Sequence, residues 1–167
     1  MRSVEEHLQR VLAGVVPLSP LDHTLLDARG CVLAEDVTAP WPLPPFDNSA
    51  MDGYAVRVAD VKAASDGKPV TLRVVDDVPA GYRASVPVTE GTAIRIMTGA
   101  PMPEGAEAVI PVEWTDAGMP EVKIMRDVTH GAHVRSRGDD VSLGDVVATS
   151  GTVLGPLRTA IARDTGL

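Results

Sequence analysis

Three stretches of the sequence gather side chains able to do chemistry. The first is PPFDNSAMDGYAV, residues 44–56. It sets two carboxylates, Asp47 and Asp52, behind a stiff proline entry, with the amide of Asn48 and the hydroxyl of Ser49 between them. Such a loop can present acids for metal coordination or proton transfer at a defined angle. The same residue types are also ordinary turn formers that cap backbone groups. The second stretch is RIMTGAPMPEGAEAVIPVE, residues 95–113. Thr98 and Gly99 follow a strand-like run there, where backbone N–H groups and a hydroxyl can be aimed at an anion. A plain strand–turn–strand is the competing reading. The third is HGAHVRSRGDDV, residues 130–141. His130, His133, Arg135 and Arg137 form the densest basic cluster of the chain, and Asp139 and Asp140 follow. Arginine suits forked recognition of phosphate-like oxyanions. Mutual Arg–Asp pairing on a solvated loop would explain the same residues. No third ligand stands in register with the two histidines, so a histidine metal site is not expected.

These residues need elements to hold them. Residues 3–16 read as an amphipathic helix: Ser3 and Glu6 match a capping box, and Val4, Leu8, Val11, Leu12 and Val15 recur at helical spacing. Pro17 is a stop signal. HTLLDARGCVLAEDV then reads as strand, turn at Gly30, and second strand, with Cys31 a small buried hydrophobe. TAPWPLPPF is a stiff proline-rich connector. After Gly53 the pattern is β. YAVRVADV, VTLRVVDDV, TAIRIM, AVIPVEW and EVKIM are short strand-like runs separated by Gly, Pro and Asp turns, which suggests a small barrel or half-barrel. Trp41 and Trp114 are most simply packing residues. GPLRTAIARDTG reads as a closing helix with Pro156 near its start, Ile161 on an apolar face and Gly166 as its cap. The expected fold is therefore β-rich α+β in two lobes: an elongated α/β domain from residues 1–46 plus 135–167, and an inserted small β-barrel-like domain from residues 47–134.

Composition narrows the function. The 167 residues are 44% hydrophobic and 23% charged, as in a soluble globular protein. No apolar run is long enough for a membrane span, and the charged start lacks a signal-peptide core. A single cysteine excludes an internal disulfide and suits a cytoplasmic protein. A net charge of −8 argues against a general nucleic-acid binder. An anionic ligand must be held by local cations or backbone N–H groups against the overall field.

Taken together, PPFDNSAMDGYAVR, IRIMTGAPMPEGAEAVIPVE and VRSRGDDVSLGDVV…GTVL strongly resemble the MoeA family of molybdopterin molybdenumtransferases, which are related to the E domain of gephyrin. The stretches occur in the family's order, and the resemblance covers essentially the whole chain, with the first forty residues the most generic. It implies an enzyme of molybdenum cofactor assembly that inserts molybdate into adenylylated molybdopterin and releases AMP, with Mg²⁺ required. It also implies a homodimer of four-domain subunits, and other proteins of cofactor assembly as further partners. The chain would supply the first two domains; the third, with its TGDE-type motif, and the fourth are absent from it. Alone, it is expected to be inactive.

Carried over by motif, Asp52, Thr98 and Asp140 are the expected catalytic positions, facing a cleft completed by the partner's third domain. Asn48, Ser49, Gly99, Arg135 and Arg137 are expected to contact substrate or oxyanion, and Asp52 and Asp140 to hold the magnesium. The family more often has Glu where Asp139 stands, which leaves Asp140 in register. Two other readings stay open: a dimerisation and scaffold module without catalytic residues of its own, and a free-standing β protein that binds an oxyanion.

Overall fold

The computed structural model describes residues 2–16 and 18–156. The readings made for Pro17, Ile161 and Gly166 lie outside the described residues. The chain divides into two compact units: residues 1–37 with 146–167, and residues 38–145. The division falls farther out than the expected boundaries at 46/47 and 134/135. Its reason is backbone pairing of the proline-rich connector: Leu43 N–H donates to Val141 O, and Val141 and Asp140 N–H donate to Leu43 O. Gly138 N–H likewise donates to Pro44 O, and Ala39 bonds with Asp145 and Gly144. The connector thereby belongs to the β-rich unit.

In the terminal unit, α1 (Val4–Leu12) begins at Ser3, whose hydroxyl accepts from Glu6 N–H while the Glu6 carboxylate accepts from Ser3 N–H. The helix is shorter than the apolar periodicity suggested, and it buries none of its residues. Residues 30–36 pair with 149–154 through bonds such as Leu33 N–H to Thr152 O and Leu154 N–H to Cys31 O. β1 (Val37–Thr38) pairs with β9 (Val146–Ala148). Among the described residues few side chains of this unit are buried, and Cys31 is exposed rather than buried as expected.

The β-rich unit is built on a sheet of five strands. After β2 (Asn48–Ser49) come β3 (Gly53–Val56), β4 (Val70–Val78), β5 (Thr92–Ile96), β6 (Ala108–Pro111) and β7 (Glu121–Ile124). The order is β6-β3-β5-β4-β7, with β4 and β5 parallel and the other pairs antiparallel. The second half of YAVRVADV is not strand but the short helix α2 (Val58–Val61). Beyond β6 a single 3-10 turn, Val112–Trp114, leads the chain to the far edge, where Met125 N–H donates to Trp114 O and Asp116 N–H to Lys123 O. The sheet thus curls into the expected half-barrel.

Alternation along the strands sends side chains to two clusters. Tyr54, Val56, Leu72, Val74, Ala93, Ile110, Val122 and Ile124 fill one. Ala55, Val78, Ile94, Ile96 and Val109 fill the other. Val75 is an extra residue in β4, because Val74 pairs with Ala93 but Asp76 with Ile94. That bulge reverses the phase, so Leu72 and Val74 face one cluster and Val78 the other. The last ladder is β8 (Val134–Arg135) on β2. Among the described residues no helix is long and apolar enough to cross a membrane.

Candidate active site

Residues 47–52 form the centre on which the other two candidate stretches close. β2 lies between them. On one side Ser49 pairs with Val134 and Asn48 with Arg135, and Ala50 N–H donates to His133 O. On the other, Gly99 N–H donates to Ser49 O, Ser49 N–H to Ala100 O, and Met102 N–H to Asp47 O. Gly99 turns the chain here with φ of +82°, a left-handed conformation that suits glycine. All three stretches that carry candidate chemistry therefore meet within the β-rich unit.

The roles divide sharply by burial. Ser49 is wholly buried, and its hydroxyl bonds to the backbone of Met51. Asn48 is buried too, with its amide donating to Phe46 O. Asp47 accepts from Arg137 N–H at 2.7 Å. These side chains brace the loop, and both Asn48 and Ser49 are buried. The density of turn-forming residues that drew attention in the sequence is thus mostly explained by the turn itself.

Asp52 is different. It is exposed, and its Oδ1 accepts two hydrogen bonds from Thr98, from the backbone N–H and from Oγ1, each 2.7 Å. The hydroxyl, then the backbone N–H, of Thr98 lower its pKa against a small opposing effect of burial, with Arg95 adding a further lowering. The carboxylate is therefore firmly ionised near neutral pH. Its Oδ2 is bonded to no described residue. Thr98 does bind an oxyanion, but that oxyanion is Asp52, 46 residues away. With Gly99 N–H bonded to Ser49 O, this turn keeps no free donor of the kind anticipated.

Asp140 lies on the exposed turn held against Leu43, while Asp139 caps Ser136 N–H at 2.7 Å. Asp140 makes no hydrogen bond or ion pair with Asp52 or Thr98 among the described residues. Arg135 and Arg137 are exposed, and neither guanidinium forms an ion pair there; Arg57 with Asp60 is the pairing seen. Mutual Arg–Asp pairing thus does not account for this loop. His133 adopts a left-handed conformation with φ of 57°, and its ring stands edge-on to Trp114 at 5.4 Å. Arg126 covers the Trp114 ring at 5.3 Å. Trp114 packs against the barrel core as expected, whereas Trp41 is 44% exposed. Sequence reading did not single out Arg95. Its signal is a lone charge in the otherwise apolar run of β5.

Asp52 and Thr98 thus form a polar, exposed pair among loops on an open β half-barrel. The chain belongs to the family described as the MoeA N-terminal region (domain I and II), which matches residues 2–166. It is 47% identical over its whole length to molybdopterin molybdenumtransferase 2 of Mycobacterium tuberculosis, covering 41% of that protein. It is 39% identical over 141 residues to the molybdopterin molybdenumtransferase of Bacillus subtilis, spanning 82% of this chain and 33% of that one. A crystal structure of the molybdopterin biosynthesis moeA protein from Pyrococcus horikoshii superposes with a TM-score of 0.82 at 40% identity, over 86% of this chain and 38% of the other. The chain thus spans about two fifths of the length of the curated relatives it matches.

Proposed function

We propose that the chain acts as the N-terminal region of a molybdopterin molybdenumtransferase, which inserts molybdate into adenylylated molybdopterin with release of AMP. Alone, without the remaining three fifths of its relatives' length, it is inactive in this reading. The observation that carries the proposal is the Asp52–Thr98 clamp. It fixes one carboxylate oxygen and leaves Oδ2 exposed at the meeting point of three loops. A carboxylate stabilised in this way is a weak proton acceptor at neutral pH. It is better suited to orienting a water or a substrate N–H or O–H by accepting its hydrogen bond. In adenylate hydrolysis the proposed part of Asp52 is therefore to aim the attacking water, with proton transfer left to other groups.

The magnesium expected from the resemblance would be held by Asp52 and Asp140, with phosphate and water completing its shell. Among the described residues no group of three or more His, Cys, Asp or Glu side chains could hold a metal ion. No step is assigned to it. The same proposal has the protein working as a homodimer, a reading supported by the exposed apolar stripe of α1.

The test is a full-length transferase carrying this N-terminal region. Asp52→Ala should lower cofactor formation by about 10²-fold or more while the β-rich unit keeps its fold. Near-normal turnover in that variant would refute the role.

A further inference from the structure

The Thr98 and Gly99 donors are already engaged within the chain. An anionic ligand approaching Asp52 therefore meets a negative carboxylate with no backbone donors to offset it. In an acidic chain such an approach is repelled unless a side-chain cation stands close by. β5 supplies one. Arg95 pairs in register with Tyr54 on one side and with Asp77 on the other. It lies two residues after Ala93, which packs in the same cluster as Tyr54, so Arg95 and Tyr54 project from the same face. Asp52 precedes Tyr54 by two positions, just ahead of β3. Arg95 is thus its diagonal neighbour, a separation that a long side chain spans.

The surroundings leave this guanidinium available. Arg95 is half-buried, and its guanidinium makes no ion pair or hydrogen bond among the described residues. The groups beside it are Tyr54, whose hydroxyl donates to Gly118 O at 3.1 Å, and the carboxylates of Asp52 and, in the paired strand, Asp77. The Tyr54 hydroxyl is therefore committed, and Asp77 is held at no ion-pair distance. Arg95 also shares its strand with the turn that carries Thr98, so one rigid element sets the relative positions of both.

We infer that Arg95 is the residue that binds a tetrahedral oxyanion, of the phosphate or molybdate class, beside the Asp52–Thr98 pair. It takes that part in place of Arg135 and Arg137, which lie on the opposite flank of β2. The inference rests on the reading of Asp52 as the acid of the site.

The experiment uses the 167-residue chain with molybdate as the probe, followed through the amide resonances of Thr98 and Gly99. Wild type should show saturable shifts. Arg95→Gln should bind roughly tenfold more weakly, Arg95→Lys should recover part of the loss, and Arg135→Gln should bind as wild type does. The Asp52 carboxyl carbon, titrated in parallel, should move to a higher midpoint in Arg95→Gln and return in Arg95→Lys. No saturable binding by wild type overturns the inference. So does equal binding by a well-dispersed Arg95→Gln, or a loss that appears in Arg135→Gln instead. Failure of the underlying reading looks different: Asp52→Asn would then leave turnover of the full-length enzyme intact, whatever Arg95 does to the probe.

Discussion

The two units obey different economies of burial. Residues 38–145 hold two apolar clusters on opposite faces of one curled sheet, and Tyr54, Ile94, Ile96, Ile110 and Ile124 are wholly buried in them. Among the described residues of the terminal unit, the hydrophobic side chains that reach burial are Val37 and Leu154. Leu8, Leu18, Leu21 and Leu26 all stand exposed. α1 nevertheless has a complete capping box, so local signals alone account for its start. The contrast separates two sources of order. The β-rich unit is held by non-local contacts among its own strands. The described part of the terminal unit has a locally capped helix, a thin ladder between residues 30–38 and 146–154, and apolar surface left over, the composition of a surface that works when something covers it. The candidate chemistry sits in the self-sufficient unit, where a loop can be held to a fixed shape without help.

The strongest way to break this comparison is at the tightest approach in the sheet. A Cβ on Gly53 would meet Ile110 O at 1.9 Å, and that atom is backbone in the paired strand. β6 would have to separate from β3 to admit it. Gly53→Ala should therefore destabilise the β-rich unit by roughly 3 kcal/mol or more. Its thermal midpoint should fall by about 15 °C or more. Calorimetry of the isolated chain reads this directly. A midpoint within a few degrees of wild type would show that the sheet is not the source of stability.

A smaller effect comes from acid. Three aspartates of the β-rich unit have lowered pKa values. Asp52 is held by the hydroxyl and N–H of Thr98, Asp76 by the N–H and hydroxyl of Ser85, and Asp116 chiefly by the N–H of Lys123. Each folded pKa lies below the unfolded one, so the unfolded chain binds more protons in acid. The stabilisation is present above about pH 4 and is lost as pH falls through the folded values. Urea midpoints should thus decline between pH 5 and pH 2.5, and Asp76→Asn, which lies outside the site, should flatten the decline. Equal slopes in the two proteins would remove Asp76 from the account.

Much of this was legible from residue order, and the parts that were not have physical causes. The five strand runs after Gly53 show themselves because β-branched residues alternate along a half-buried sheet. The capping box of α1 is likewise a local pattern. What escaped depends on partners distant in sequence. VADV reads as strand by composition but makes one helical turn at the end of β3. β2 and β8 are two residues each, too short for any periodicity, and exist because 48–49 meets 134–135. The Val75 bulge and the pairing of 38–46 with 136–145, which moves the unit boundary, leave no local mark. In the site, motif resemblance singled out Asp52 and Thr98, but nothing in either stretch says that one binds the other. The bracing bonds of Asn48 and Ser49 were equally hidden, because amides and hydroxyls that brace a turn look the same in sequence as those that face a ligand.

The mildest perturbation sharpens the comparison from the other side. Leu8 lies mid-helix in α1 and is 53% exposed, so Leu8→Glu removes little burial within the chain itself. The new carboxylate would sit in the apolar stripe formed with Val4, Val11, Leu12 and Val15, all exposed. If that stripe meets only water, the substitution is nearly silent. The β-rich unit has its own two apolar clusters and should keep its unfolding midpoint, with a change within about 0.5 kcal/mol. The oligomeric state should respond instead. A charge placed on an apolar contact surface must be desolvated when the contact forms, which weakens association. Sedimentation of wild type should therefore show association at concentrations where Leu8→Glu runs as a single copy. A wild-type monomer throughout the micromolar range, or a variant that associates equally well, would mean that the stripe is not a contact between copies of this chain. A large loss of β-unit stability would mean that the two units are less independent than their burial suggests.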